Sequence, residues 1–454
     1  MKNMGDVLKV NLMKVLILSN FSLLIFVLNI PGTIALRNVL SVLLLMTLFF
    51  SWLKIEASIK PLFKNKSFVN AIVILLILSF YIFLHSIFIA DEVSWSLSQY
   101  RSQWIYPMLY FIIGILLAFF ASTGKYFNKE NLITILFSSL FLHIFYIDVT
   151  SIYQYIETGQ LPSRYGGLTG SSVLANYITN ILLSIIIVEY IYRSRIKKTI
   201  LKLSPVLLFL ALLLCILSSI IEGVRLGVVS LFIMSIAGII FFIINNNFSL
   251  KIKSIAGVGF LIFCIFPLSY NVKYDDRWST LIETIPLAMN TDNNTYWQTL
   301  LDADIPKLSN GASVSPSNYL RVAWIIKGTR YIFKDIYGTG YGRNAFGHAI
   351  EKYESSTPLG IQAEEKRSLP GAGNFTGGKL VTARGFHSHS SIIDFTIGVG
   401  LIGLAIWILF LGTIIISSTR MFIHTGNYFA LLSTFIASGF FIRSIIDSNM
   451  RDHM

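Results

Sequence analysis

The sequence predicts an all-α polytopic membrane protein with about 11–12 transmembrane helices and one large hydrophilic loop towards its C-terminal end. Three observations carry that reading. Of the 454 residues, 54% are hydrophobic and only 13% charged, with a mean hydropathy of +0.68. A soluble domain is about 25% charged, so this chain lacks the polar surface to coat a water-soluble body. Apolar runs of roughly 20 residues recur, the length a helix needs to cross a hydrocarbon core of about 30 Å. No strand-like alternation runs through them, which leaves helices to satisfy the backbone in lipid.

Taken in order, membrane helices are expected at 12–30, 38–53, 69–90, 104–121, 132–149, 171–192, 205–221, 224–244, 254–272, 391–418 and 428–446. The linkers sort by charge. One set holds Lys54, Lys60, Lys64 and Lys66, then Lys125 and Lys129, then Arg193, Arg195, Lys197, Lys198 and Lys202, then Lys251 and Lys253. The opposite set holds little beyond Arg37, Arg101 and Arg164. Positive charge stays on the cytoplasmic side, so the N-terminus is inside and the long loop outside. The chain thus divides into helices 1–9 over 1–272, the loop over 273–390 and C-terminal helices over 391–454. Eleven crossings leave the C-terminus outside, so the expectation is either one further helix within the chain or a sequence that stops short of a final crossing. The first apolar run lacks a small-residue cleavage site after it and reads as a retained helix rather than a signal peptide.

The net charge of +13 is not a nucleic-acid footprint, because the basic residues sit in short linkers as topology demands. The two cysteines, Cys215 and Cys264, lie inside apolar runs and offer neither a disulfide framework nor a metal-binding pair. Within the loop, residues 317–336 show helical periodicity. Leu320, Trp324, Tyr331 and Ile332 fall on one face, with Arg321, Lys327 and Lys334 on others. Gly338, Gly340 and Gly342 end that helix, and 355–385 reads as a flexible segment. A loop this long on a membrane scaffold is more often functional than ornamental.

Ionisable groups at the edges of apolar runs are the candidate chemistry. Arg225 opens the eighth helix after Ser218-Ser-Ile-Ile-Glu222. It is either an interfacial arginine paired with Glu222 or a guanidinium fork that grips an anion in two places. Arg164, Arg277 and Arg321 lie on the same outer side and with Arg225 supply a cationic lining. His387 and His389 close the long loop just before the chain re-enters the membrane, followed by Gly400 and Gly403, small enough to admit a close neighbouring helix. No cysteine or carboxylate stands at ligand spacing beside the histidines, so no metal is expected there. Histidine is the side chain best placed to take a proton near neutral pH. His85 and His143 are isolated and read as structural. There is no Walker motif, no Rossmann glycine pattern and no pair of intramembrane carboxylates such as a proton-driven pump would use.

His389-Ser390, nine further residues and Gly400-Leu-Ile-Gly403 resemble the signature of the lipopolysaccharide O-antigen ligases, in which histidine is followed by Asn, Ser or Gln, nine residues and Gly-x-x-Gly. That signature continues with Thr or Val, where this chain has Leu404. Further landmarks follow in the same order: Gly170-Ser-Ser-Val-Leu-Ala175-Asn, the serine stretch ending at Arg225, and Arg321 with Trp324 leading to Gly338–Gly342. The resemblance spans about 160–410 and implies a fold like the C-type glycosyltransferases, with a periplasmic loop over the active site. It implies an enzyme of the inner membrane that moves a glycan from undecaprenyl diphosphate to a sugar hydroxyl of lipid A–core, without a cofactor, nucleotide sugar or metal. Carried over residue by residue, His389 is the general base, Arg225 and Arg321 hold the departing diphosphate, and Arg164, Arg277 and His387 help to bind substrate.

Fixed cations aimed at a diphosphate that gains charge as its bond breaks favour the transition state, so the chemistry agrees with those roles. Within the superfamily an O-antigen polymerase and a protein O-glycosyltransferase share the topology and differ in acceptor. A transporter of lipid-linked sugars predicts internal repeats and polar residues near the bilayer centre; the sequence offers no convincing repeat.

Overall fold

In the computed structural model the described residues are 4–53, 65–162, 164–245, 265, 269, 272–273, 280–342, 344–368 and 386–446. Their regular structure is helical, apart from an isolated antiparallel bridge between Lys307 and Ser313. Among these residues, nine helical spans are long and apolar enough to cross a membrane. The chain is an all-α, multi-pass membrane protein.

The spans begin with α1 (Met4–Val27), α2 (Ile34–Leu53) and α3 (Lys66–Phe88). The fourth joins α4 (Val93–Tyr100), a π-helical turn (Arg101–Ile105) and α5 (Tyr106–Thr123). Then come α6 (Lys129–Thr158), α7 (Ser172–Ile196) and α8 (Pro205–Glu222); α9 (Arg225–Asn245), whose apolar stretch is shorter, is not counted among the nine. Two more, α15 (Ser391–Thr425) and α16 (Tyr428–Ile446), follow the loop region. The fourth span starts at Val93 rather than at 104. Its polar early turns find partners on α3, with Ser96 donating to Ser86 at 2.8 Å and Trp104 Nε1 to Ser79 at 2.6 Å. The helix expected over 254–272 lies almost wholly outside the described residues.

By packing, the chain forms two units, one of 1–70, 108–271 and 413–439, the other of 71–107, 272–412 and 440–454. The first is built around α7, 78% of whose apolar window is buried. A helix apolar all round belongs in the middle of a bundle. Its Leu182, Ile185, Ile186 and Val188 pack in one cluster with Leu208, Leu212 and Cys215 of α8. On α6, by contrast, Leu142, Phe145, Tyr146, Val149 and Ile152 are exposed; this apolar outer face suits lipid rather than water. Helix starts are signalled locally. Asn128 makes a capping box with Asn131, Ser171 caps α7, and Ser204 caps α8 just before Pro205.

In the second unit the long loop is more ordered than its composition predicts. It holds α10 (Leu281–Met289), α11 (Tyr296–Thr299), α12 (Pro316–Lys334), α13 (Ala345–Glu354) and α14 (Pro358–Ser368). The last of these falls in the stretch expected to be flexible. It is held by buried Ala363 and by Lys366, whose Nζ reaches Asp304 at 2.6 Å; residues 369–385 lie outside the described residues. Tyr296, Trp297, Tyr319, Trp324, Tyr331 and Phe346 form an aromatic core. As expected, Trp324, Tyr331 and Ile332 share the buried face of α12. Lys327 does not stay on a polar face. It is 5% exposed, 4.9 Å over the Trp297 ring, and bonded to Asp292 and Glu354 at 2.9 and 3.2 Å. A buried ammonium needs such partners, and the carboxylates come from elements remote in sequence.

Candidate active site

Around the loop histidines, geometry follows from a helix start. Ser390 caps α15 by accepting the Ile393 N–H at 3.3 Å, and its hydroxyl also points to the Ser444 carbonyl at 3.4 Å. Asp394, in the first turn, accepts the Ser388 N–H at 3.0 Å. Ser388, whose hydroxyl donates to the Ser390 carbonyl at 2.9 Å, is buried with Phe386 and Ser390. His387 and His389 remain half-buried on the alternate positions. Their rings lie 4.1 Å apart, edge to face. His389 stacks on Trp324 at 5.3 Å with 13° between the planes. Its φ of +56° is left-handed, a conformation uncommon outside glycine, so the turn is locked by its surroundings. Arg321 precedes Trp324 by one helical turn and is half-buried.

Of the two signature glycines, Gly403 has the expected role, with Tyr81 of α3 3.1 Å from where its Cβ would be, and Gly400 has a different one. What approaches Gly400 is loop backbone, not a neighbouring helix. Gly400 breaks α15 with φ +73° and ψ 179°, a region open to glycine alone. A Cβ there would sit 2.5 Å from the carbonyl oxygens of Ile336 and Tyr337, and one on Gly338 would sit 2.5 Å from the Gly400 nitrogen. The segment after α12 docks into the break. Thr339 N–H donates to Ile397 O at 2.8 Å, Gly340 N–H to Gly398 O at 3.0 Å, and Leu401 N–H to Ile336 O at 2.9 Å. Tyr81 donates to Val399 O at 2.8 Å, and His85 Nε2 lies 2.6 Å from Tyr337 O. Backbone freed within an apolar helix must be satisfied by protein, and here it is. The structural reading of His85 and of His143, which bonds Phe26 O at 2.7 Å, holds.

In the first unit, Arg225 is the first residue of α9 and is half-buried. The corner before it is held from several sides. Gly223 ends α8 in the left-handed region, and the exposed Arg164, itself at φ +56°, lies against it. Tyr165 N–H donates to Ile221 O at 3.3 Å. Glu222, fully buried, accepts from Asn176 Nδ2 and from Thr179 Oγ1, each at 2.6 Å. The Asn176 side chain also presses on Gly227, leaving no room for a Cβ. The structure therefore brings Arg164 to the Arg225 corner and His387 to His389, and sets Arg321 one helical turn before the Trp324 on which His389 stacks. Arg277 lies outside the described residues.

Sequence reasoning missed several buried polar groups. Asp394 and Arg443 are 7% and 2% exposed, Ser388 and Ser390 are buried, and Asp148 and Glu222 are buried in the first unit. An acidic residue within an apolar run, as at Asp148, is a signal that could have found it. Asp148 and Glu222 bond different partners, Asp148 accepting from Ser218 and Glu222 from Asn176 and Thr179. No group of three or more His, Cys, Asp or Glu stands close enough among the described residues to hold a metal. Comparison of the chain with known protein families and with curated proteins finds no match.

Proposed function

We propose that this protein is an O-antigen ligase of the bacterial inner membrane, working at the periplasmic face. It would transfer a finished glycan from undecaprenyl diphosphate to a sugar hydroxyl of lipid A–core. The observation that carries the reading is the way the His389…Gly400-x-x-Gly403 spacing is built. Ser390 caps the helix that Gly400 breaks, so one short helical stretch holds the stacked imidazole at its start and the docked loop at its end.

In this reading the His389 imidazole takes the proton of the acceptor hydroxyl as its oxygen bonds to the anomeric carbon. The bond from that carbon to the diphosphate breaks, and the lipid diphosphate leaves with the electron pair. Arg321 favours that charge over the ground state, through a planar fork that a single ammonium does not reproduce. Trp324 gives the imidazole, and a sugar ring beside it, a flat apolar wall. The energy resides in the diphosphate linkage, so no nucleotide is required.

The test is a deletion strain analysed for lipopolysaccharide banding and for its lipid-linked pool. Loss of the ladder with long polymer retained on undecaprenyl diphosphate is the expected result. Loss of the ladder leaving one repeat unit on core would make the protein a polymerase and overturn the proposal.

A further inference from the structure

The last turn of α12 and the residues after it present large apolar side chains on the outside of the second unit. Phe333 is 75% exposed, Tyr337 58% and Ile336 46%. A clustered apolar patch marks contact with a partner or with a membrane. The depth at which the backbone beside the patch is held decides between them.

Helix α3 serves as the gauge. Its 23 residues rise about 34 Å, enough to cross a hydrocarbon core of about 30 Å. Leu76, Ile77 and Phe80 are exposed along it, as are Phe88 and Ile89 at its end, and Asp91 and Glu92 are the first charges beyond. Tyr337 O lies 2.6 Å from Nε2 of His85, which is three residues, or about 4.5 Å, before Phe88 at the end of α3. Helix α15 gives the same level. Leu401 N–H donates to Ile336 O at 2.9 Å, and Tyr81, a further turn inside α3, donates to Val399 O at 2.8 Å. Leu401 and Ile402 are themselves exposed.

Ile336 and Tyr337 are therefore bonded inside the rim of the α3 span, beside apolar side chains that face outward from two membrane helices. The charges nearby collect at that rim. Lys352 bridges Asp335 and Asp91 at 3.1 and 3.0 Å, and Lys334 Nζ lies over the Tyr331 and Tyr353 rings at 5.9 and 5.3 Å. Apolar groups inside the rim with charges and tyrosines along it are what a membrane interface selects.

We propose that the end of α12 is a foot set into the bilayer. Phe333, Ile336 and Tyr337 lie among the acyl chains of the leaflet at the C-terminal end of α3, and the Lys352–Asp335–Asp91 cluster lies at its headgroups. The partner is lipid hydrocarbon, because the patch continues the outward faces of α3 and α15. The foot ties α12 to the membrane surface, with Trp324 about 14 Å back along the same helix, and it does not depend on the transfer reaction.

The experiment uses the full-length chain with Cys215→Ala and Cys264→Ala, in palmitoyl-oleoyl-phosphatidylcholine vesicles. A nitroxide spin label is attached at Phe333→Cys or at Tyr337→Cys, both exposed positions at which the label leaves the core untouched. Power saturation compares accessibility to oxygen, which concentrates in hydrocarbon, with accessibility to nickel(II) ethylenediaminediacetate, which stays in water. Labels at Ile402→Cys on α15 and at Ser309→Cys in an exposed turn mark the two limits. At both test positions oxygen accessibility should exceed nickel accessibility several-fold, as at Ile402, with the reverse at Ser309. Nickel accessibility equal to that at Ser309, at either position, would put the patch in water. Low accessibility to both reagents would put a second copy or another protein over it, and either result would overturn the proposal.

Discussion

Replacing Gly400 by alanine places a methyl group where the structure has backbone. Two costs add. The φ of +73° with ψ near 180° belongs to glycine, and holding an L-residue there costs about 1–3 kcal/mol. The new Cβ also meets the Ile336 and Tyr337 carbonyl oxygens at 2.5 Å, and neither can swing aside as a side chain would. Relieving that contact by backing the loop away stretches the Thr339–Ile397, Gly340–Gly398 and Leu401–Ile336 hydrogen bonds. Each is worth about 0.5–1.5 kcal/mol net. Together the substitution should destabilise the second unit by about 3–6 kcal/mol. Gly412 supplies the control, since it lies in the same helix with nothing within 4 Å of a built Cβ. There alanine should be neutral or stabilising by about 0.5–1 kcal/mol. Thermal unfolding of both variants in detergent, read by tryptophan fluorescence, makes the comparison. A Gly400→Ala protein that melts with Gly412→Ala, or above it, would refute the reasoning.

Lys327→Met should cost about 3–5 kcal/mol by stranding buried Glu354, whereas Arg330→Ala, at an exposed pair with Asp292, should cost under about 1 kcal/mol; equal losses in denaturant titrations would argue against the burial account. Tyr81→Phe should lower the unfolding temperature by leaving the Val399 carbonyl unsatisfied, at about 1–3 kcal/mol. In pH-dependent melts, hydrogen bonding to Lys327 holds Asp292 below the ordinary carboxylate value. Burial pushes Asp304 and Asp335 up, but Lys366 and Lys352 outweigh it and hold both low. Depressed carboxylates contribute stability above their unfolded value, near 4, that is lost as pH falls through the folded one. Burial lowers Lys352 but Asp91 and Asp335 raise it further, so its contribution is present below about 10.4 and lost at higher pH. These groups therefore leave stability flat between about pH 5 and 10, and a restoring effect of neutral Asp292 or Asp335 at acid pH would contradict the assignment. His389→Asn keeps a residue that tolerates the left-handed backbone, so it should fold like the natural chain yet lose glycan transfer; retained transfer would remove His389 as base.

Much of the architecture was legible in one dimension because lipid imposes a length and a polarity on each span. The runs near 38–53, 205–221 and 428–446 become helices within a few residues of the expected bounds. Local rules also placed the end of α12, where Asp335 accepts the Tyr337 and Gly338 N–H groups. What hydropathy could not report is which polar group meets which. Lys327 reads as a surface cation until Asp292 arrives from a turn and Glu354 from another helix, and 358–368 reads as flexible until Asp304 and a buried Ala363 hold it.

The sequence by itself determined a helical membrane protein, the places of most of its spans and the ordered His389–Gly400–Gly403 pattern, since these depend on residues close along the chain. Only the tertiary structure decided that Gly400 is a break filled by loop backbone, that Trp324 stacks on His389, and that buried Asp148 meets buried Ser218. Those facts rest on contacts between segments far apart in sequence, where a few tenths of an ångström, rather than composition, settle what fits.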